Sequence, residues 1–249
     1  MTRIGILGAK GRMGRAIAQA ADELGASISG GIDQEGMVHG AYSSLIELAT
    51  ASDVLVDFTR PEALAGHLEA AVTGNCPIVI GTTGLTPDDH IAIDTAAQKV
   101  PVLQAANTSL GVNLLAYLVR EAAARLGPDW DIEILEMHHR HKVDAPSGTA
   151  LLLGDAAAKG RGVDLVAMSD RGRDGITGAR RQGAIGFAAL RGGSVAGDHM
   201  VVLASEGERI ELGHRAESRA IFAHGAVKAA LWLQSKPAGR YTMNDVLGL

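Results

Sequence analysis

Five consecutive basic side chains, His138 to Lys142, form the run HHRHK, and the run PSGT follows at positions 146 to 149. Histidine titrates near neutral pH and can both accept and donate a proton, while a lysine ammonium group donates one. A run of basic side chains is usually a solvated surface feature, but these particular groups can also move protons. The residue types therefore predict a site for acid–base chemistry.

The same stretch has the features of an anion-binding site. If the basic run ends a strand and Ser147 to Thr149 open a helix, the N–H groups of Gly148 and Thr149 point toward the basic side chains and attract a carboxylate. A solvated surface turn and an adventitious metal site are the alternatives. A metal is disfavoured because the run lacks HExxH spacing and a cysteine partner, and only Glu136 and Asp144 supply nearby carboxylates.

A glycine-rich loop, GAKGRMG, follows the apolar run RIGIL and precedes a helical pattern. Gly8, Gly11 and Gly14 permit a tight turn, close approach of a pyrophosphate and close helix packing, and the helix N-terminus offers free N–H groups. The spacing GxxGxxG is a variant of the usual GxGxxG, and glycines also occur in such turns for packing alone. The loop predicts a dinucleotide site.

Asp33 ends the next apolar run, SISGGID, about 20 residues past the loop, where a carboxylate can bind the adenosine ribose hydroxyls. The alternative is a solvated turn aspartate. Gln34 follows it, so no arginine stands there to bind the 2′-phosphate of NADPH, which favours NADH. Lys10 or Arg12 could still reach a phosphate, and use of both cofactors stays open.

Composition excludes several classes of protein. The 249 residues are 47% hydrophobic, enough for a sizeable core, and the formal net charge of -5 gives no global basic field for nucleic acid or an anionic membrane. The single cysteine, Cys76, forms no internal disulfide. No apolar run is long enough for a membrane helix, and glycines interrupt the N-terminus too early for a signal peptide. We expect a cytoplasmic protein, complete as written.

Short apolar runs alternate with helical patterns over residues 3–106, which indicates βαβ units and a parallel sheet. GTTG and AANTS each follow such a run, so both are expected at the edge of the sheet where a ligand binds; as bare motifs they are only turns. Residues 183–214 contain apolar runs separated by glycine turns, typical of an antiparallel or mixed sheet. We therefore predict an α/β fold, with a Rossmann-like parallel-sheet nucleotide domain and a smaller α+β substrate domain.

The chain resembles the 4-hydroxy-tetrahydrodipicolinate reductases, long called dihydrodipicolinate reductases, of the bacterial and plant lysine pathway. The likeness covers the whole chain, and the motifs that carry it are, in order, GAKGRMG, DFTRPE, GTTG, AANTSLGVN, EMHHRHKVDAPSGTA and GAVKAALWL. It implies an enzyme that passes a hydride from a nicotinamide cofactor to C4 of a cyclic, doubly carboxylated imine. Water is lost from the 4-hydroxy compound, and the product is tetrahydrodipicolinate.

The resemblance also implies roles for individual residues. His138 is the acid/base residue and Lys142 a proton donor. The residues implied to hold the substrate carboxylates are His139, Ser147, Gly148 and Thr149. Those implied to bind the cofactor are Gly8, Ala9, Lys10, Gly11, Arg12, Met13, Asp33, Gly81, Thr82, Thr83, Ala105, Ala106, Asn107 and Thr108.

In this family, residues 1–108 and 220–249 would form the dinucleotide-binding domain, and residues 109–219 the substrate-binding domain, whose sheet usually builds a homotetramer. A small dicarboxylate is the expected ligand, with neither nucleic acid nor a membrane as partner and no metal. The sequence departs from some members in having Lys10 where they carry glycine and Gln34 where they carry arginine. NADH is therefore favoured, and NADPH remains possible.

Two other functions compete with this one. A related nicotinamide dehydrogenase that acts on an acyclic semialdehyde or amino acid would share the N-terminal half, but the histidine run argues against it. A catalytically silent dinucleotide sensor could use the same fold to report redox state to a partner. Such a sensor would have little use for His138 and Lys142 together.

Overall fold

The computed structural model describes residues 1–249 and divides the chain into two compact units. The first unit comprises Met1–Leu110 and Ala220–Leu249, and the second comprises Gly111–Arg219. Each unit is built on its own sheet, one of seven strands and one of five. No helix has both the length and the apolar character needed to cross a bilayer.

The first unit alternates strands and helices along the chain, as the sequence predicts. Its strands are β1 (Arg3–Leu7), β2 (Ser27–Asp33), β3 (Gly36–His39), β4 (Val54–Asp57), β5 (Ile78–Ile80), β6 (Pro101–Gln104) and β12 (Gly239–Tyr241). Its helices are α1 (Arg12–Glu23), α2 (Leu45–Ala51), α3 (Leu64–Thr73), α4 (Pro87–Ala97), α8 (Ala220–Leu233) and α9 (Met243–Leu247). One 3₁₀ turn, Pro61–Ala63, precedes α3.

The strand order β12-β6-β5-β4-β1-β2-β3 is parallel throughout, except that β3 pairs antiparallel with β2 at one edge. Both faces of the central strands are buried: Val54 and Val56 contribute to one apolar cluster, and Leu55 to the other. Burial on both faces is the usual condition of a parallel sheet. It accounts for runs of apolar residues where a half-exposed strand would alternate.

The start of α4 shows two local sequence signals for a helix N-terminus. Thr86 accepts a hydrogen bond from the backbone N–H of Asp89, whose carboxylate accepts one from the backbone N–H of Thr86, which forms a capping box at the start of α4. Pro87 occupies the first turn, where a missing N–H is tolerated. Between Asp33 and Val54 the structure has β3 and α2, and Gly36 at φ 103° makes the turn into β3.

The second unit is of α+β type, with helices α5 (Leu110–Leu126), α6 (Gly148–Arg161) and α7 (Leu165–Met168). Its strands are β7 (Asp131–His138), β8 (Ser169–Asp170), β9 (Ile185–Arg191), β10 (Asp198–Ser205) and β11 (Glu208–Arg215). The order is β11-β10-β7-β9-β8, with antiparallel pairing around β10 and parallel pairing around β9. This mixed sheet confirms the predicted fold class.

Alternation along β7 separates two faces of this sheet. Ile132 and Ile134 are fully buried in an apolar cluster that also contains Leu115, Leu153 and Val201, contributed by α5, α6 and β10. Glu136 and His138 follow on the same side of the strand because side chains alternate with a period of two. The polar residues of the site thus continue a row that begins in the core.

Candidate active site

The glycine loop lies between β1 and α1, at the carboxyl end of the sheet. The backbone N–H groups of Gly8 and Ala9 donate to the carbonyl oxygen of Ile32 at 2.9 and 3.0 Å, which ties the loop to β2. α1 begins at Arg12, and its N-cap residue, Gly11, supplies no side-chain hydrogen bond. The first N–H groups of the helix therefore remain available to an anionic ligand.

Steric limits show why glycine is required in this loop. Gly8 adopts φ 88°, and a Cβ there would come within 2.7 Å of the Phe58 carbonyl oxygen. A Cβ on Gly14 would lie 2.3 Å from the carbonyl oxygen of Gly8. The helix can therefore approach the loop this closely only without a side chain at position 14. A narrow cradle of this kind fits a dinucleotide pyrophosphate.

Asp33 lies beside this cradle, and its carboxylate accepts hydrogen bonds from the backbone N–H groups of Lys10 and Gln34, both at 2.8 Å. These bonds lower the pKa of Asp33, the Gln34 N–H contributing most. The Lys10 ammonium group is 2.5 Å from a carboxylate oxygen of Glu35. The region expected to hold the adenosine ribose is therefore acidic, and its one nearby lysine is already paired.

A cavity of about 530 Å³ opens next to the loop. The residues that line it include Gly8, Gly11, Asp33, Phe58, Arg60 and His67. Its size and its mixture of glycine backbone, one aromatic ring and charged groups suit a nucleotide cofactor. The residues present therefore fit the cofactor that the glycine loop predicts.

The remaining predicted cofactor residues follow β5 and β6, whose carboxyl ends share an edge with β1 because the three strands are parallel. Thr82 is buried, and its hydroxyl donates to the Asp57 carboxylate at 3.1 Å, whereas Thr83 is exposed. Thr108 is also buried and donates its hydroxyl to the Phe222 carbonyl oxygen at 2.7 Å. The two buried hydroxyls tie the turn after β5 to Asp57 of β4 and the turn after β6 to Phe222 of α8.

In the second unit, His138 is the last residue of β7, and its Nδ1 lies 2.6 Å from Oε2 of the buried Glu136. Arg191, at the end of β9, donates two hydrogen bonds to the same carboxylate, at 2.7 and 2.8 Å. Although burial alone would raise the pKa of Glu136, the hydrogen bonds from Arg191 and His138 lower it. Glu136 is therefore an ionised carboxylate at neutral pH.

Ser147 joins this group to the helix that follows. Its backbone N–H donates to Oε1 of Glu136 at 3.1 Å, and its side chain caps α6 by accepting from the backbone N–H of Ala150. Ser147 Oγ also lies 3.0 Å from Nε2 of His199, a buried residue of β10. The helix N-terminus expected at Gly148 and Thr149 is thus anchored beside His138.

Lys142 and His139 lie on the loop between β7 and α6. The Lys142 ammonium group is 2.7 Å from the Asp144 carboxylate, and this hydrogen bond lowers the pKa of Asp144. Arg219 donates to Nε2 of His139 at 3.0 Å. Desolvation first, and then the charge of Arg219 and the other basic groups of the cluster, lower the pKa of His139. The His139 ring is therefore uncharged near neutral pH, and it lies beside the charged Arg219 guanidinium group.

Sequence reasoning gave no role to several residues of this site. Arg191, His199 and Arg219 come from later parts of the chain, and the local pattern offers Glu136 only as a nearby carboxylate. Their signal is weak, because the first three residues lie outside the motifs that indicate the site. No group of three or more His, Cys, Asp or Glu side chains is placed to hold a metal ion.

A glycine loop with a carboxylate beside it on a parallel sheet, together with a histidine paired with a buried carboxylate in an α+β unit, is typical of a nicotinamide-dependent oxidoreductase. Two family profiles match the sequence: "Dihydrodipicolinate reductase, N-terminus" over residues 2–108 and "Dihydrodipicolinate reductase, C-terminus" over residues 111–247. The chain belongs to the 4-hydroxy-tetrahydrodipicolinate reductase family.

Curated relatives agree with this assignment. The 4-hydroxy-tetrahydrodipicolinate reductase of Zymomonas mobilis is 64% identical over 99% of this chain and 97% of its own length, and that of Parvibaculum lavamentivorans is 52% identical over 99% and 98%. A solved structure described as dipicolinate-bound dihydrodipicolinate reductase from Paenisporosarcina sp. TG-14 shares the fold, with a TM-score of 0.80 at 24% identity over 97% of each chain. The predicted function, a reductase of lysine biosynthesis, is confirmed, and the family uses NADH or NADPH.

Proposed function

We propose that this chain reduces 4-hydroxy-tetrahydrodipicolinate to tetrahydrodipicolinate, with His138 as the acid/base residue and Lys142 as a proton donor. The observation that carries the proposal is the placement of His138 beside the N-terminus of α6, where Glu136 accepts hydrogen bonds from both His138 and Ser147. The Glu136 carboxylate thus holds both the acid/base group, His138, and the N-terminus of α6, which can bind an anion. A doubly carboxylated ring that must gain a proton needs both.

The bound nicotinamide supplies a hydride, which leaves extra electron density on the substrate ring. The Lys142 ammonium group would donate a proton that quenches this density, and His138 would act beside it as the acid/base residue. A positioned acid of this kind contributes roughly 10²- to 10⁴-fold in rate. The nearby positive charges lower the energy of the developing anion further because they are fixed before the reaction begins.

The substrate carboxylates would be held by the N–H groups of Gly148 and Thr149, by the Ser147 hydroxyl and by His139. The N-terminus of α6, a helix of 14 residues, carries a partial positive charge that favours an anion. Arg219, which donates to His139, adds a cation to the same loop. These groups set the orientation of the ring relative to His138.

The cofactor would lie against the glycine loop, with Asp33 on the adenosine ribose and the turns at 81–83 and 105–108 toward the nicotinamide. NADH is the favoured cofactor, because Gln34 offers no charge to a 2′-phosphate and Lys10 is paired with Glu35. Asp33 and Glu35 would also repel that phosphate. Use of NADPH would require Lys10 or Arg12 to turn toward it.

The proposed assembly is a homotetramer built through the five-stranded sheet of the second unit. On the face of this sheet opposite the apolar cluster, Leu135 and Leu190 are exposed, at 36% and 52%, on the paired strands β7 and β9. Apolar side chains on an open sheet face favour association with a second copy. Light scattering should give the mass of four chains, and Leu190→Glu should lower it; a wild-type monomer would contradict the proposal.

The test of the reaction supplies fresh substrate by coupling to the preceding synthase with pyruvate and aspartate semialdehyde. Loss of reduced-nicotinamide absorbance is followed separately with NADH and with NADPH. Rapid oxidation that requires the synthase supports the proposal. Oxidation with an acyclic semialdehyde alone would favour the related dehydrogenase, and cofactor binding without any oxidation would favour the silent sensor.

A further inference from the structure

The Glu136 carboxylate is surrounded by hydrogen-bond donors. Oε2 accepts from Nη1 of Arg191 at 2.7 Å and lies 2.6 Å from Nδ1 of His138. Oε1 accepts from Nη2 of Arg191 at 2.8 Å and from the backbone N–H of Ser147 at 3.1 Å. The side chain is 1% exposed, so water cannot replace any of these partners. A buried carboxylate held by a bidentate arginine has a fixed position and charge.

This arrangement determines which ring nitrogen of His138 carries a proton. An ionised carboxylate is only an acceptor, so Nδ1 of His138 must donate to it. In the neutral ring Nε2 then carries no proton, so it is the atom that can take up a proton and deliver it. We infer that Glu136, clamped by Arg191, is a positioning residue that fixes the Nδ1–H tautomer of His138 and so makes Nε2 the working acid/base atom. This inference rests on the role proposed for His138.

Gly197 gives independent support to Nε2 as the working atom. It precedes β10, and a Cβ at this position would lie 3.0 Å from Nε2 of His138, closer than an ordinary contact. The backbone there adopts φ 155°, a value that few side chains permit. The absence of a side chain leaves space beside Nε2, whereas the Nδ1 side of the ring is filled by Glu136.

The inference predicts the effect of changing the carboxylate to an amide. In Glu136→Gln, the amide oxygen is favoured at the Oε1 position, which faces two fixed donors, Nη2 of Arg191 and the Ser147 N–H, whereas the Oε2 position faces one fixed donor, Nη1 of Arg191. The amide NH₂ group then faces Nδ1 of His138, which must become an acceptor, and the proton moves to Nε2. A catalytic histidine held in the wrong tautomer loses roughly 10⁴-fold in turnover in serine proteases.

The first experiment needs no change in the site. Wild-type enzyme labelled with ¹⁵N in its histidine rings reports the tautomer of each imidazole by nuclear magnetic resonance, and the signals missing in His138→Gln belong to His138. The pH is raised until the signal of the doubly protonated ring is lost, and we expect the neutral ring that remains to carry its proton on Nδ1. A neutral His138 ring with its proton on Nε2 overturns the inference.

The second experiment measures kcat and KM of Glu136→Gln, with cofactor affinity by calorimetry. We expect kcat to fall by roughly 10²- to 10⁴-fold, while KM for the substrate and the cofactor Kd change little. Glu133→Gln is the matched control: this carboxylate is also on β7 and is held by Arg173 and Arg180, but on the opposite face of the strand. Wild-type kcat in Glu136→Gln would refute the inference.

If Glu136→Gln does not fold, Gly197→Ala takes its place, because it leaves the clamp untouched. A fall in kcat with the His138 tautomer unchanged supports Nε2 as the working atom, and unchanged kcat overturns it. His138→Gln separates the two claims. If that variant keeps full turnover, the acid/base role itself is wrong; if it is inactive while Glu136→Gln is fully active, only the present inference fails.

Discussion

Nδ1 of His67 lies 2.8 Å from Oδ2 of Asp57, and both side chains are buried; Asp57 ends β4, and His67, on α3, lines the cavity beside the glycine loop. The other oxygen of Asp57 accepts from the hydroxyls of Thr59 and Thr82, and the Thr59 N–H donates in turn to Thr82. One buried carboxylate thus joins the turn after β4 to the turn after β5. The turn after β4 lines the cavity beside the glycine loop, and the turn after β5 belongs to the proposed cofactor site.

We expect His67→Gln to weaken cofactor binding by about tenfold, because loss of one charge-assisted hydrogen bond, about 1.5–3 kcal/mol, loosens the two turns. Calorimetric titration with NADH measures this directly, and KM for the substrate should stay the same. His224→Gln is the control, since His224 also pairs with a carboxylate, Glu23, but on the surface. Equal NADH affinity in both variants would show that the buried pair has no part in holding the cofactor.

Lys142→Ala should lower kcat by roughly 10²-fold if its ammonium group is a proton donor. Lys159→Ala provides the comparison, because Lys159 pairs with Asp155 on the exposed side of α6 and should leave kcat unchanged. His139→Ala should instead mainly raise KM for the substrate. Full turnover in Lys142→Ala would remove this lysine from the mechanism.

Gln34→Arg should tighten NADPH binding by about tenfold relative to NADH, since a guanidinium group pairs with a 2′-phosphate. Glu35→Gln should act in the same direction because it releases Lys10. Asp33→Ala should weaken NADH binding without affecting the substrate. Fluorescence titration gives the dissociation constants for NADH and NADPH: their ratio checks Gln34→Arg and Glu35→Gln, and the value for NADH checks Asp33→Ala. An unchanged ratio in Gln34→Arg would place the 2′-phosphate elsewhere.

Gly225→Ala should destabilise the first unit by about 1–3 kcal/mol, because an added Cβ would lie 1.8 Å from the Thr108 carbonyl oxygen, inside the helix packing of α8. Gly66→Ala is the matched control: Gly66 is an exposed position of α3 with nothing near its Cβ, and alanine should stabilise it by about 0.5–1 kcal/mol. Denaturant unfolding measures both changes. Equal stability of the two variants would mean that α8 can shift away from Thr108.

Stability should decrease in mild acid through His199. Burial, followed by the charge of His138, lowers the pKa of His199 to about 4, against about 6.5 in the unfolded chain. Between these values the unfolded chain binds more protons, so stability falls as pH drops through this window, by roughly 3 kcal/mol in all. His199→Gln should flatten the slope, and the exposed His39→Gln should not. Identical slopes in wild type and His199→Gln would contradict this account.

The fold class and the family could both be predicted from the amino-acid sequence. The alternation of apolar runs and helical patterns depends on burial within each element, and the period of the side chains records it directly. The glycine loop and the histidine run can also be recognised from consecutive residues. A tight turn needs glycine wherever it lies in the fold, and acid–base chemistry needs groups that titrate near neutral pH.

Only the three-dimensional arrangement shows which residues support those motifs. Arg191 meets Glu136 from 55 positions away because β9 pairs in parallel with β7, and a one-residue change of register would turn it to the opposite face. Asp57 and Thr82 meet because β4 and β5 end at the same edge. Contacts of this kind depend on strand order and register, which a local pattern does not encode.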